Sequence, residues 1–405
     1  MKILHTADWH LGKRLESFNR HKEQEAVLNE ICEIADREAV DVVIIAGDLF
    51  DTFAPPAESE DLFYNTCKRL TANGLRPVIA IAGNHDAPDR IHAPDVLARL
   101  NSIFFIGFPF AHLNPIELDN GIIITKTDAG FMEFQLPRCP YPLRLFLTPY
   151  VNESRVKDYL GANTMDSVRE TVNIHWAKSA EKYADTEGVN LAVAHLFVMD
   201  KDQPPPEEPE EERSILQLGG ASAIFTENVP TTWQYVAMGH LHRRQSVKNA
   251  SCPVVYSGSP LAYSFSEIDQ TKYVMIIEAE PAKPVIVRPI ELKTGKRLLR
   301  GEFDSIDSAL LWLVANPDTF VELTILTDSF LKGEDMRRLR QVHAGIVSIK
   351  PKPINEKDLK ENTVHYVDLE RNIDELFMDY FKYRKGVLPN EHLVKLFKNI
   401  LTVEL

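Results

Sequence analysis

Hydrophobic positions in the first hundred residues follow two alternating patterns. Short apolar runs at Ile3–Thr6, Asp41–Ala46 (DVVIIA) and Pro77–Ala82 (PVIAIA) are separated by segments with helical spacing, Glu23–Glu38 and Glu58–Thr71. A run that is apolar at nearly every position predicts a strand covered on both faces, and its alternation with helices predicts an α/β sheet. After Phe104 the runs shorten. Gly121–Thr125 and Arg144–Thr148 predict strands, about Met165–Thr186 a long helix, and Leu191–His195, Tyr235–Met238 and Val254–Tyr256 three more strands.

From about Pro281 a second set begins. Val285–Ile290, Ser305–Ala315, Phe320–Leu326, Glu334–Val342 and Ile346–Lys350 read strand, helix, strand, helix, strand, enough for a smaller α/β domain. Beyond a linker at Pro351–Asn362, Leu369, Ile373, Leu376, Phe377, Tyr380 and Phe381 recur at helical spacing. The break at Gly386-Val387-Leu388-Pro389 precedes a second such helix with Leu393, Leu396, Phe397, Ile400 and Leu401. The expected division is 1–280, 281–352 and 353–405, with the terminal helices either closing on their own domain or docking another protein. Asp200–Arg213 (DKDQPPPEEPEEER) combines prolines with like charges and predicts a solvated loop inserted within a domain.

Composition narrows the class. At 405 residues the chain exceeds one ordinary core, and 44% hydrophobic with 26% charged residues fits a soluble globular protein. No apolar run approaches the roughly 20 residues of a membrane span, and Met1-Lys2-Ile3-Leu4 leads into a strand rather than a secretory signal. Cys32, Cys67, Cys139 and Cys252 are far apart with no CxxC pair, which argues against a disulfide scaffold and for a reducing cytoplasm. The net charge of −14 weighs against a free-standing nucleic-acid binder, so a DNA substrate would need basic patches, metal ions or a partner.

The chemistry sits where strands end. Asp8 and His10 follow the first strand; Gly47-Asp48-Leu49-Phe50-Asp51 follows the second and Gly83-Asn84-His85-Asp86 the third. A later strand ends at His195, and another is followed by Gly239-His240-Leu241-His242. In open α/β sheets ligands bind beyond the carboxyl ends of strands, so all five groups could meet. If strand geometry persists, alternation also puts Asp8 and His10 on one side of the chain and Trp9 into packing. Carboxylates, imidazoles and one carboxamide, without thiolate, suit Mn²⁺, Fe²⁺ or Zn²⁺ better than Ca²⁺. Seven such ligands are too many for one tetrahedral site but fit two metals sharing a carboxylate, the arrangement of metal-assisted phosphoester hydrolysis. A lone DxH or HxH is more often a capped turn or a structural histidine, and GNHD alone could be only a turn. Five pieces in order after strands are a different matter.

Those pieces, DWH, GDLFD, GNHD, a later His and GHLH, resemble the signature of the calcineurin-like metallophosphoesterases. ILHTADWHLGK, IIAGDLFDTFAPP, AIAGNHDAPDR, ERSILQLGGA, YVAMGHLHRRQ and YSGSPLAYSFSE closely resemble the bacterial branch of the double-strand-break repair nucleases, the SbcD family. The likeness runs from Met1 to about Glu278 and continues more loosely beyond. It implies a four-layer αββα sandwich, an α/β capping domain that helps select DNA ends, and a C-terminal helical pair. It implies two-metal hydrolysis of DNA phosphodiesters, as double-strand exonuclease and single-strand or hairpin endonuclease, in DNA repair, recombination and replication. Asp8, His10 and His242 would hold one ion, Asn84, His195 and His240 the other, with Asp48 bridging. Mn²⁺ is the first candidate, with Fe²⁺ or Mg²⁺ the others. His85 would face the scissile phosphate, Asp51 would hydrogen-bond His85, and Asp86 would hold the GNHD turn. Archaeal relatives carry His at the Asp51 position, which leaves the proton path open.

Basic residues beside the motifs, Lys13, Arg14, Arg20 and Lys22 with His21, Arg90, and Arg243 with Arg244, are the candidate DNA contacts. With no GxxxxGK[ST] there is no ATP site in this chain. The resemblance supplies that function through a coiled-coil ATPase partner (SbcC), docked on Leu369–Lys382 and Pro389–Leu401, in a heterotetramer built on a homodimer. The expected location is the cytoplasm, at the nucleoid through DNA. Two other readings stand beside this one: a small-molecule or cyclic-nucleotide phosphodiesterase on the same site, and a structural DNA-end tether with a vestigial site. The extra domain and terminal helices argue against the first, and the complete ligand set against the second.

Overall fold

The computed structural model describes residues 1–152, 155, 168–203, 223–327 and 331–352, and nine residues between 376 and 397. The chain divides into two compact units, Met1–Ile325 with Gly333–Lys350, and Leu326–Lys332 with Pro351–Leu405.

In the first unit, the fully apolar strands have both faces covered. Ile3, Val42, Ile44 and Ile81 face a core shared with Leu145, Leu191, Val193 and Ala237 of a second sheet. Their neighbours Leu4, Val43, Ile45 and Ala80 face the opposite way, onto Val27, Leu28 and Ile31 of the His21–Arg37 helix and Phe63 and Cys67 of the Ala57–Leu70 helix. The outer face of the second sheet, with Phe146, Ala192 and Val236, meets Val172 and Trp176 of the Val168–Tyr183 helix. The result is helix, sheet, sheet, helix, the expected four layers.

The first sheet has six strands in the order Ile286–Glu291, Tyr273–Glu278, Lys2–Thr6, Val42–Ala46, Val78–Ile81 and Ile103–Ile106, parallel from Lys2–Thr6 onward. The second has eight, with Tyr235–Gly239, Val189–His195 and Leu143–Thr148 as its parallel centre. Parallel strands aim their carboxyl ends the same way, so each sheet delivers its loops to one edge.

Two expectations need correction. The strand expected to open the second domain, Val285–Ile290, is instead Ile286–Glu291, antiparallel to Tyr273–Glu278 in the first sheet. The boundary at 280/281 therefore cuts through a sheet. The smaller sheet begins at Leu298–Phe303, a strand its charged composition concealed, and continues through Phe320–Leu326 and Ile346–Lys352. Helices Ile306–Ala315 and Gly333–Val342 accompany it. The starting residues 165–167 of the expected long helix, residues 204–213 of the acidic segment, the linker beyond Lys352 and most of the terminal helices lie outside the described residues. In the second unit the Phe377 ring stacks on Phe397 at 3.9 Å and 8°, so the two expected terminal helices meet there.

Arg20 is the second correction. It is 1% exposed and so is not a surface cation. Its guanidinium pairs with Glu23, donates to Ala262 O at 2.8 Å, and lies 5.1 Å from the centre of the Phe320 ring. Leu15, Phe265, Leu298 and Phe320 form a small core around it, with Phe18 packed alongside, so Arg20 seals the smaller sheet against the Arg14–Asn19 turn. Arg20→Ala should lower the free energy of unfolding by about 2–4 kcal/mol in a urea titration. The exposed neighbour Arg14→Ala should stay within about 0.5 kcal/mol.

Candidate metal centre

Pleat alternation does not bring Asp8 and His10 together. The first strand ends at Thr6, and Asp8 (φ 54°), His10 (φ 44°) and Asp48 (φ 48°) all adopt left-handed backbone. The two loops zip together beyond their strands: Asp8 N donates to Gly47 O at 3.0 Å and His10 N to Asp48 O at 3.0 Å. Kinked loops turn both side chains inward, while Trp9 is buried against Phe63, as expected for packing. Asp, His and Asn tolerate such backbone at a cost of order 1 kcal/mol or more, and functional sites are where that cost persists. Gly47 (φ 92°) admits no side chain, because a Cβ would lie 2.2 Å from His195 Nδ1.

All seven candidate ligands are buried. Asp8 Oδ1 accepts from His240 N at 2.8 Å, and Asp48 Oδ1 from His85 N at 2.9 Å. Their other oxygens, Asp8 Oδ2 and Asp48 Oδ2, have no hydrogen-bond donor among the described residues. Asp48 Oδ2 sits between the imidazoles, 3.5 Å from His10 Nε2 and 3.3 Å from His195 Nε2. On one side His10 Nε2 meets His242 Nε2 at 3.0 Å; on the other His195 Nε2 meets Asn84 Oδ1 at 2.9 Å, and the His240 ring lies 5.6 Å from that of His195.

Two groups of ligand atoms, Asp8–His10–Asp48 and Asp48–His195–His240, each fall within 4.8 Å and share Asp48. Two orphaned buried carboxylate oxygens, one of them lying between imidazole nitrogens, fit divalent cations and would otherwise be costly.

Charges respond to that crowding. Burial, with the neighbouring Asp48 charge, lifts Asp8 to about 7. Burial opposes charge on His195, but the Asp48 carboxylate outweighs it and lifts the imidazole to about 9. Burial likewise opposes charge on Asp48, yet His195 and His85 hold it well below the carboxylate range.

Asp86 gathers three main-chain amides, Gly83 N at 2.7 Å and Leu49 N and Phe50 N at 3.0 Å. It therefore ties the GDLFD loop to the GNHD loop, more than holding its own turn. Asp51 also departs from expectation. His85 Nδ1 lies 2.8 Å from the main-chain oxygen of Asp51, while the Asp51 carboxylate faces His10 Nδ1 at 3.6 Å and Lys13 Nζ at 3.3 Å. The expected contact exists through the backbone, because the carboxylate turns toward His10 and Lys13. Lys22 and Arg243 are exposed; Arg14 donates to Ser17 O, and Arg90 is paired with Glu60 at 2.7 Å.

Several residues had no assigned role. Arg155 donates to Gly83 O, Tyr150 O and Asp86 O, bracing the loop that carries Asn84 and His85. Tyr263 lies edge-on to both His10 and His242, at 5.7 and 6.2 Å. Glu267 and Lys272 form a buried pair beside His242. Tyr263 and Glu267 lie in the YSGSPLAYSFSE stretch, so a signal existed without a chemistry attached.

Residues 1–244 match the family model for calcineurin-like phosphoesterases. A Bacillus subtilis protein, named as the SbcD component of the nuclease SbcCD, is 35% identical over 406 residues, covering 98% of this chain and 97% of its own length. A Staphylococcus epidermidis protein of the same name is 26% identical, covering 97% of this chain and 95% of its own. No helix among the described residues is long and apolar enough to cross a membrane.

Cation binding should be linked to proton release. Without a cation, burial raises the Asp8 carboxyl and the Asp48 carboxylate raises the His195 imidazole above their ordinary ranges, so both hold protons that must leave for the atoms to act as ligands. Apparent affinity for Mn²⁺, followed by isothermal titration calorimetry, should therefore rise as pH is raised from 6 to 9. Asp48→Asn, which removes the shared charge, should weaken binding at every pH.

Proposed function

The chain belongs to the calcineurin-like phosphoesterases and, within them, to the SbcD nucleases, and on that basis we propose how its buried centre works as the nuclease component of an SbcCD-type complex. It is a metal-dependent nuclease of the dimetal type. In our reading Asp8, His10 and His242 hold one ion and Asn84, His195 and His240 the other, with Asp48 shared. The observation that carries this assignment is Asp48 itself. One oxygen is anchored on His85 N, and the other lies between imidazoles of the two clusters. Mn²⁺ is the proposed ion, with Fe²⁺ or Mg²⁺ as the other candidates, in keeping with an oxygen and nitrogen donor set. Bound there, the ions supply water activation and neutralisation of charge developing at phosphorus.

The chain's own groups divide the remaining work. Hydrogen-bonded amides at His240 and His85 aim the Asp8 and Asp48 carboxylates, so the polar centre is preorganised. The Asp51 carbonyl commits His85 Nδ1, which leaves Nε2 as the atom to protonate the leaving oxygen of a DNA phosphodiester. Asp51 contributes through that carbonyl and, with its carboxylate, through His10 and Lys13. Lys13, Arg14, Lys22, Arg90 and Arg243 remain the proposed phosphate contacts; Arg20 does not.

A net charge of −14 still calls for a cationic surface from elsewhere, and an SbcC-type ATPase is the proposed source. The proposal extends to a homodimer within a heterotetramer, a capping role for the 298–352 sheet, docking of the ATPase on the terminal helical pair, and work on DNA at the nucleoid. A cyclic-nucleotide phosphodiesterase is disfavoured, since the nuclease relatives match almost end to end.

Purified chain with Mn²⁺ should cleave linear and hairpin DNA, spare cyclic nucleotides, and gain activity with the ATPase. Asp48→Asn should reduce cleavage by about 10³-fold or more. His85→Ala should lose about 10²–10⁴-fold while keeping Mn²⁺ affinity. Hydrolysis of cyclic nucleotides in preference to DNA would overturn the nuclease assignment.

A further inference from the structure

Glu267 and Lys272 are the buried ion pair that the two-ion reading leaves unused. Their side chains are 1% and 9% exposed, and the Lys272 ammonium contacts Glu267 Oε2 directly. A pair this buried rarely contributes net stability over an apolar replacement, since desolvation offsets the attraction. Both members of the pair also reach His242, besides Tyr263, Ser259 and Gln270. Glu267 Oε1 accepts from Tyr263 N at 3.0 Å and lies 3.5 Å from His242 Nδ1. Lys272 Nζ donates to His242 O at 3.0 Å and to Ser259 Oγ at 2.9 Å, and Ser259 N donates to the same His242 O at 3.1 Å. His242 is thus gripped at its main chain by the cation and faced at its ring by the anion.

Two of the other imidazoles, His195 and His10, are backed differently. His195 Nδ1 lies 2.8 Å from a neutral carbonyl, that of Ala46, and 3.8 Å from Asp8, itself a candidate ligand. His10 Nδ1 faces Asp51, which is 27% exposed and shared with Lys13. Among the described contacts of these three imidazoles, that of His242 with Glu267 is the one to a fully buried carboxylate outside the ligand set, and that carboxylate is held by the Lys272 cation.

We propose that Glu267 and Lys272 act as one positioning unit that holds the proton of His242 on Nδ1, so that Nε2 is presented as a ligand to the ion shared with Asp8 and His10. This rests on the two-ion reading of the centre. Lys272 fixes where the histidine's backbone sits, Glu267 fixes its tautomer, and neither touches substrate. Carboxylates placed behind a ligating histidine raise its donor strength, and losing one costs about 10–100-fold in metal affinity.

The test uses the full chain and Mn²⁺. Glu267→Gln alone would strand a buried ammonium, so the informative variant is Glu267→Gln with Lys272→Met, which removes both charges together. In calorimetric titrations the wild type should take up two Mn²⁺ equivalents. The double variant should bind one of them about 10–100-fold more weakly and the other unchanged. Side-chain ¹⁵N NMR of the metal-free wild type should show His242 as the Nδ1–H tautomer, and the variant should show a mixture. A purely structural role would lower thermal stability without moving either readout. Wild-type affinity for both ions in the folded double variant overturns the inference alone, as does an Nε2–H tautomer in the wild type. A wild type that binds no Mn²⁺ overturns the two-ion reading and this inference with it.

Discussion

Two carboxylates buried together constrain everything around them. Asp8 and Asp48 are each fully enclosed and share a cluster with His10 whose ligand atoms lie within 4.8 Å of one another. Like charges that close in a low-dielectric interior repel by several kcal/mol unless cations and oriented dipoles compensate. The compensation is distributed across the chain. His240 N comes from the second sheet to Asp8, His85 N from a neighbouring loop to Asp48, and Asp86 ties three amides of two loops. The loops are braced against one another through the groups they would offer an ion, so fold and centre are one construction.

Much of this was legible in the sequence, for identifiable reasons. Strands buried on both faces read as unbroken apolar runs, and ligands beyond their carboxyl ends read as short polar motifs in order. What failed was local geometry. Spacing could show that Asp8 and His10 belong together, but left-handed backbone rather than pleat alternation unites them. Arg20 looked like a surface cation because burial of a charge depends on Phe320, Ala262 and Glu23, which sequence distance hides. The Asp51–His85 contact is read from the motif, which says that the residues meet but not that the main-chain oxygen of Asp51 makes the contact. Ile286–Glu291 mixes exposed with partly buried positions and has no fully buried one, so it could belong to either sheet; its pairing with Tyr273–Glu278 settles it.

The smaller sheet is in physical contact with the centre through few intermediates. Phe320 meets Arg20 at 5.1 Å and Phe18 at 5.2 Å. The guanidinium of Arg20 also lies 5.9 Å from the Tyr263 ring, and that ring lies edge-on to His10 and His242. The Tyr263 hydroxyl donates to Trp9 O, between the first two candidate ligands. A chain of packed rings and one cation therefore spans from the smaller sheet to the ligands. Such a chain carries energetic coupling only where it has two discrete arrangements.

The left-handed backbone at Asp8, His10 and Asp48 has a consequence for descent as well as for chemistry. Selection acts on those positions twice, once through the side chain and once through the turn beneath it. A lineage that abandoned hydrolysis would still be filtered by backbone torsion there, drifting to Asn or Gly far more easily than to Val, Ile or Thr. Motif remnants could therefore outlive activity in distant relatives. Inheritance of catalysis would be better judged at His85, His195 and His242, where no left-handed backbone adds a second filter.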